Sequence, residues 1–196
     1  MRRIRIFEHI SLDGFIAPGS RTAGDDAYVN GGWTTPYRSP AGRDALIAAQ
    51  GSSFDLLLGR RTYDIWATYW PNVASSPMAN GLNAATKYVA THRPESLGWG
   101  PVEGLGADIV GKVRSLTSTD GPDLIVWGSS TLTGVLLEQG LVDEVLLIVY
   151  PVLLGRGKRF VSESAQPREL ALLSTQATSS GVLINSYRHV GPLRSG

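Results

Sequence analysis

The sequence predicts an α/β fold: a central, mostly parallel sheet with flanking helices and an antiparallel hairpin at its C-terminal edge. Three observations carry this. Apolar runs of strand length alternate with stretches whose apolar residues recur at helical spacing through most of the 196 residues, the pattern of a sheet covered on both faces. Successive strand-to-helix junctions pass through a glycine turn, as at Leu58-Gly59-Arg60 and Trp127-Gly128-Ser129. The final apolar runs follow one another with no helical stretch between them, so antiparallel pairing at one edge is expected. No internal repeat, low-complexity tract or linker interrupts the pattern, and a single domain over residues 1–196 is expected.

Arg3 to Ile10 reads as the first strand, with Ile4, Ile6 and Ile10 set between charged or amphipathic positions. Asp13-Gly14 and Pro18-Gly19 end it, both strong turn signals. Residues 19–38 hold few periodic apolar positions and read as a long loop, in which Trp33 and Tyr37 suit a lid over a site better than a tether. Ser39-Pro40 opens a helix, Ser as cap and Pro in the first turn; Ala41, Ala45, Ala48 and Ala49 share a face and Gly51 closes it.

Phe54 to Leu58 is a buried strand, and Gly59-Arg60-Arg61-Thr62 begins a second helix with Tyr63, Trp66, Ala67 and Trp70 at core spacing. Lys87 to Thr91 is a third strand, running into the basic turn Thr91-His92-Arg93, and a helix from Asp108 carries the stripe Ile109, Val113 and Leu116. Leu124 to Trp127 is a buried strand that turns through Gly128-Ser129-Ser130-Thr131 into a helix marked by Leu132, Val135 and Leu136. Leu141 to Gly155 reads as one long apolar strand and Val182 to Arg188 as the closing one.

Lys and Arg total 18 against 17 Asp and Glu, so no general polycation exists to grip nucleic acid by counterion release, and no nucleic-acid partner is expected. The absence of cysteine rules out disulfides, thiolate catalysis and Cys-ligated metals. His9, His92 and His189 are not at ligand spacing, so no metal site is expected. Apolar runs are strand-sized, and Met1-Arg2-Arg3-Ile4 leads straight into one of them. A soluble, cytoplasmic protein without membrane contact is expected.

In a sheet of this kind ligands gather beyond the carboxyl ends of the strands, where helix N-termini offer bare N–H groups and partial positive charge. Three candidate anion-binding turns fall there: Gly59-Arg60-Arg61-Thr62, Thr91-His92-Arg93 and Gly128-Ser129-Ser130-Thr131. A dinucleotide has well-separated phosphates, and one with an additional ribose phosphate needs a cation, which Arg60, Arg61, His92 or Arg93 can supply. Neither the Gly-x-Gly-x-x-Gly fingerprint nor a Walker-type loop is present, which disfavours a standard Rossmann dehydrogenase or a P-loop nucleotidase.

Five blocks resemble a known family: Ile10-Ser-Leu-Asp-Gly-Phe-Ile-Ala17, Leu57-Leu-Gly-Arg-Arg-Thr-Tyr63, Val126-Trp-Gly-Ser-Ser130, Gly140-Leu-Val-Asp-Glu-Val145 and Pro151-Val-Leu-Leu-Gly-Arg-Gly157. Their types and order are similar to the dihydrofolate-reductase-like family, in the branch that includes the reductase domain of bacterial riboflavin biosynthesis, and the likeness runs to about Phe160. The resemblance implies an eight-stranded sheet with NADPH extended across its carboxyl edge, a small-molecule heterocyclic substrate, and a homodimer. Position by position, it implies Gly59, Arg60, Arg61 and Thr62 at the pyrophosphate and adenosine side, and Thr91, His92 and Arg93 by the 2′-phosphate. It further implies Gly128, Ser129, Ser130, Thr131 and Leu132 around the pyrophosphate, with Ile10, Ile16 and Ala17 bordering the nicotinamide.

The chain also departs from that branch. Where its members typically carry an acid before the glycine of the fourth-strand turn, this sequence has Trp127, which fills space and offers one N–H donor. Trp33, Tyr37 and Trp127 are therefore read as lining the substrate pocket, and Asp44, near the place of the helix carboxylate of dihydrofolate reductases, as the candidate proton donor. Asp13, within Leu12-Asp13-Gly14, is read as making an Asx turn. The expected activity is NADPH-dependent hydride transfer to a small planar heterocycle, pterin- or pyrimidine-like. The alternatives are an NADPH-binding or sensing module without turnover, the 5-amino-6-(5-phosphoribosylamino)uracil reductase itself, and a structural domain that self-associates through the strand Val145 to Leu154.

Overall fold

The computed structural model describes residues 1–16 and 32–194. In chain order these form β1 (Ile4–Ser11), β2 (Phe15–Ile16), α1 (Pro40–Gln50), β3 (Phe54–Gly59), α2 (Arg60–Tyr69), α3 (Pro77–Ala84), β4 (Lys87–Ala90) and β5 (Val102–Gly104). There follow α4 (Ile109–Ser118), β6 (Asp123–Trp127), α5 (Ser130–Glu138), β7 (Glu144–Tyr150), β8 (Lys158–Arg159), β9 (Arg168–Ala177) and β10 (Leu183–Pro192). Among the described residues, eight strands make one sheet in the order β5-β4-β3-β6-β1-β7-β10-β9, while β2 and β8 form a separate ribbon. The first six run parallel; β10 runs antiparallel between β7 and β9. The expected α/β class and the C-terminal antiparallel edge are both present.

Local chemistry sets the element ends. The Ser39 hydroxyl accepts from the Gly42 amide at 3.1 Å with Pro40 in the first turn of α1, and Asp108 caps α4 by accepting from the Gly111 amide at 2.9 Å. β7 stops at Tyr150, short of the expected Gly155, because Pro151 brings no N–H to a ladder. α3 and β5 were not expected: one mixes Pro, Gly and two Asn with its apolar residues, and the other has three residues. β7 lies between β1 and β10, so its apolar run is core and not a self-association surface. The expected loop over residues 19–38 falls largely outside the described residues; within it, Thr35–Tyr37 makes a turn of 3₁₀ helix.

Successive residues of β1 point to opposite faces. Phe7 joins a core with Trp33, Trp127 and Tyr150, against which α1 and α2 pack through Ala45, Leu46, Ala49 and Trp66. Ile4, Ile6 and Ile10 join the core on the other face with Val113 of α4 and Leu132 and Leu136 of α5. The helix that follows β1 thus lies on one face and the helix that follows its neighbour β6 on the other. No helix among the described residues is long and apolar enough to cross a membrane.

Candidate active site

β6 leaves the sheet through two successive left-handed residues, Gly128 (φ 58°) and Ser129 (φ 57°). Left-handed backbone costs a residue with a side chain about 1 kcal/mol and persists only where its surroundings enforce it. The Ser129 hydroxyl provides that enforcement. It accepts from the Gly59 amide at 2.9 Å, and its own proton lies within reach of Thr62 Oγ1 at 3.0 Å and the Trp127 carbonyl at 3.1 Å. A side chain on Gly128 would begin 3.4 Å from Thr62 Oγ1. The turns at Gly59 and Gly128 are therefore clamped together.

The same holds on the other flank. Arg60 binds Asp64 through Nε at 2.8 and 2.9 Å, and its Nη1 reaches Thr91 Oγ1 at 3.2 Å, the Arg93 carbonyl at 3.1 Å and Ser96 Oγ at 2.7 Å. Thr91 Oγ1 also accepts from the Arg93 amide at 3.0 Å. All three turns read from the sequence thus adjoin at the carboxyl edge of the parallel strands. Two sequence expectations change with this. The Ser129 hydroxyl and Gly59 amide satisfy each other, and Arg60 is a bracket between turns. What faces outward is Arg61, His92, Arg93 and Thr131, all exposed, and the first turn of α5, which carries no side-chain cap. Ser130 Oγ is buried there without a partner. Leu132 turns its side chain into the core with Ile10 and Ile16, while Ala17 lies outside the described residues.

On the α1 face of the same edge an aromatic cluster surrounds a polar pair. Tyr150, the last residue of β7, has its hydroxyl 2.9 Å from Nδ1 of His9 on β1. Trp127 stacks on His9 at 5.5 Å, and Trp33 and Tyr37 meet Tyr150 edge-on at 4.9 and 5.8 Å. The indole N–H groups of Trp33 and Trp127 are buried with no acceptor. Burial, with help from Arg38, lowers the His9 pKa to about 4; burial raises that of Tyr150 to about 12, against the pull of Arg38. Both are neutral at pH 7, so the phenol keeps its proton and the imidazole can accept or pass one on. The Ser180 hydroxyl, in the turn between β9 and β10, donates to the Tyr37 carbonyl at 2.9 Å and so ties the antiparallel hairpin to this wall.

The three aromatic residues proposed from sequence are brought together; Asp44 is not part of the cluster. Its side chain is 69% exposed on α1, with Arg43 Nε 3.6 Å away. Asp13 is structural, but not through the expected Asx turn: the local turn is held by the Phe15 amide donating to Ser11 Oγ at 3.0 Å. The Asp13 carboxylate accepts from Ser11 Oγ at 2.5 Å and, across the fold, from the Leu154 and Gly155 amides at 3.0 and 2.7 Å. Burial would raise its pKa, but these hydrogen bonds outweigh it and hold the group at about 2.

Sequence reasoning missed His9, Tyr150 and Glu8. His9 was weighed only for metal spacing, and Tyr150 is hidden in an apolar run. Glu8 was detectable as an acid inside a strand of isoleucines. Only 5% of the Glu8 residue is exposed; burial raises its pKa to about 8, although its hydrogen bond from the His9 amide and the charge of Lys158 pull the other way. Among the described residues no group of His, Asp and Glu is placed to hold a metal ion.

Comparison with known proteins adds a family to this geometry. The Bacillus subtilis (strain 168) protein YyaP, described as uncharacterized, is 28% identical over 140 residues, which span 69% of this chain and 74% of that one. A putative riboflavin biosynthesis protein from Shewanella sp. PV-4 superposes with a TM-score of 0.65 at 17% identity, covering 96% of this chain and 99% of the other. A dihydrofolate reductase from Enterococcus faecalis, solved with NADP(H), gives a TM-score of 0.62 at 12% identity, covering 95% and 96%. The RibD C-terminal domain profile matches residues 2–184, and the chain belongs to that family.

Proposed function

We propose that the protein is an NADPH-dependent reductase that delivers hydride to a small planar heterocycle, pterin- or pyrimidine-like. The observation that carries this is the meeting, at one sheet edge, of an uncapped helix N-terminus flanked by basic turns with an aromatic cluster holding orphaned N–H donors. The donor set fits the coenzyme. The α5 amides of Ser130, Thr131 and Leu132 and the buried Ser130 hydroxyl would hold the pyrophosphate. Arg61, His92 and Arg93 would face the adenosine end and its 2′-phosphate, and Ile10 and Ile16 would border the nicotinamide. When bound, the coenzyme supplies the hydride.

The chain's own residues supply orientation and the proton. A planar ring takes the place of Tyr37 against Tyr150, and its acceptor atoms receive the indole N–H groups of Trp33 and Trp127. Tyr150 would be placed to give its proton to the ring nitrogen or oxygen beside the carbon being reduced, and His9, 2.9 Å from its hydroxyl, would support the resulting phenolate and return a proton from solvent. Asp44, being exposed, enters only through water. Trp127 offers no charge to a substrate, which separates this pocket from that of a 5-amino-6-(5-phosphoribosylamino)uracil reductase. Self-association belongs to the same reading: the outer edge of β9, at the end of the sheet, carries the exposed Leu170, Leu172 and Leu173, and a homodimer in sedimentation is expected.

The test is calorimetric titration with NADPH, followed by NADPH oxidation with dihydrofolate, quinonoid dihydropterin and aminopyrimidine acceptors. Tyr150→Phe is expected to lower turnover by ~10²-fold or more with coenzyme affinity intact. A protein that does not bind NADPH overturns the proposal; one that binds it and reduces none of the acceptors is the sensing module.

A further inference from the structure

The crevice between β1 and β6 is the switch point of the sheet, since the helices that follow these neighbouring strands lie on opposite faces. Backbone direction shows what opens into it. The Arg3 carbonyl accepts from Leu124 on the β6 side, and the Ile4 carbonyl accepts from Asp143 on the β7 side. Odd-numbered residues of β1 therefore turn their backbone polar groups to β6. β6 ends at Trp127, opposite Phe7, so the His9 amide lies past the end of that ladder. Glu8 Oε1 accepts it at 3.1 Å. The second carboxyl oxygen, Oε2, is buried with no partner.

A buried carboxyl with a vacant oxygen is an unfinished hydrogen-bonding corner. Glu8 shares its face of β1 with Ile6 and Ile10, and Lys158, whose charge bears on it, pairs across the β2–β8 ribbon with Ile16. Held largely neutral at pH 7, the carboxyl is both donor and acceptor, and the His9 amide is a second donor. The chemistry that completes such a corner is uncharged and planar and carries one acceptor beside one donor. A carboxylate lacks the donor and would crowd a second acid; a ketone lacks the donor as well. A primary carboxamide has both.

We propose that Glu8, together with the His9 amide, is the docking point and specificity determinant for a planar primary carboxamide, the group borne by the nicotinamide ring. This rests on the reading that a reduced nicotinamide coenzyme binds at this edge. The carboxamide N–H donates to Glu8, and its oxygen accepts from the Glu8 O–H or from the His9 amide that Glu8 caps in its absence.

The experiment titrates NADPH and its acetylpyridine analogue, in which a methyl ketone replaces the amide, into wild type, Glu8→Gln and Glu8→Leu. Wild type is expected to favour NADPH by ~10-fold, the worth of one hydrogen bond. Glu8→Gln, which keeps a donor and an acceptor, retains the preference, and Glu8→Leu abolishes it. Wild type that binds both coenzymes equally, or Glu8→Leu that keeps the preference, overturns the Glu8 assignment and leaves the reductase reading standing. Wild type that binds neither overturns both. Should Glu8→Leu fail to fold, the backbone amide resonance of His9 in wild type reads the same contact. It is expected to move with NADPH and stay in place with adenosine 2′-phosphate 5′-diphosphate, and an equal response to the two overturns the assignment.

Discussion

At the amino ends of the parallel strands charged groups close on one another, whereas at the carboxyl ends polar groups are left open. Arg2, buried, pairs with Asp55 and donates to the Pro122 carbonyl at 2.6 Å; Arg3 joins Asp123 at 2.6 Å and Glu144 at 3.1 Å, and Arg5 also binds Glu144. A surface cleft of about 690 Å³ lies at that end, lined by Arg3, Asp143, Glu144, Arg188 and His189 among others. Asp143 and Glu144 there are already engaged, although Arg168 Nε and His189 Nε2 lack partners. The carboxyl ends instead hold the orphaned atoms of Glu8, Trp33, Trp127 and Ser130 and the left-handed Ser129. They also hold the displaced pKa values of Glu8, His9 and Tyr150. Vacant hydrogen bonds, strain and shifted acidity gathered in one place mark a site better than the volume of a cleft does.

The largest effect belongs to the closed end. Arg2→Met strands the Asp55 carboxylate in the core, and removal of one partner from a buried pair is expected to cost about 3–5 kcal/mol in urea unfolding. NADPH affinity of the folded fraction should not change; a parallel loss would show that the two ends are coupled.

A smaller effect, of opposite sign on its two sides, comes from acidity at the open end. The Glu8 pKa is raised from 4.5 to about 8, so the stability of the neutral acid is fully present below pH 4.5 and is lost as pH rises through about 8. The His9 pKa is lowered from 6.5 to about 4, so its contribution is present above pH 6.5 and is lost as pH falls through about 4. The two slopes oppose each other between about pH 4.5 and 6.5 and should leave a plateau there, each unit of displacement being worth at most about 1.4 kcal/mol. Glu8→Gln should remove the alkaline decline and His9→Asn the acid one, read from urea midpoints across pH. An unchanged alkaline decline in Glu8→Gln would mean that another group causes it.

Much of the fold was legible because it is written in local chemistry. Ser39-Pro40 and Gly51 bracket α1, glycine turns punctuate β3 and β6, and the missing helices before β10 mark the antiparallel edge. α3 and β5 were not legible, since eight residues that include Pro, Gly and two Asn, and a strand of three, leave no period to read. The three turns were legible as a set, but the division of labour within them was not. Nothing in Gly59-Arg60 or Gly128-Ser129 says which donor is spent on its neighbour, because that depends on β3 and β6 being adjacent in the sheet. Trp33, Tyr37 and Trp127 were recognisable as large rings in unusual places. The partners around which they gather, His9 and Tyr150, are 141 residues apart and meet only when β1 pairs with β7. Asp44 was chosen for its place along the chain, whereas its side of α1 is set by the packing of Ala45, Leu46 and Ala49.

Ser129→Ala tests the clamp between turns. It removes the acceptor for the Gly59 amide and keeps a left-handed residue with a side chain, so a loss of about 1–2 kcal/mol is expected. NADPH affinity should fall with it by ~10-fold as the start of α5 loses its anchor to β3. Ser129→Gly should recover part of the stability and none of the affinity. Equal recovery of both would show that backbone strain, and not the hydroxyl, sets the position of α5.

The smallest effect separates two arginines that look alike in sequence. Arg93 is exposed, and its backbone is held in place by others: its carbonyl accepts from Arg60 Nη1 at 3.1 Å and from Ser96 Oγ at 2.8 Å. Arg93→Ala therefore deletes a charge without moving the turn. If that charge meets the 2′-phosphate, affinity for NADPH should fall by ~5-fold and affinity for NADH should not, since an exposed ion pair contributes about 1 kcal/mol or less. Raising the ionic strength should shrink the difference between the two coenzymes in wild type and leave it flat in the variant. Arg60→Ala removes the bracket itself, releasing Thr91, Arg93 and Ser96 together, and should weaken both coenzymes alike. The reverse outcome, with Arg60→Ala selective for NADPH and Arg93→Ala indifferent, would make Arg60 a ligand that the free protein parks on its neighbours. The 2′-phosphate would then lie on the β3 side of the edge.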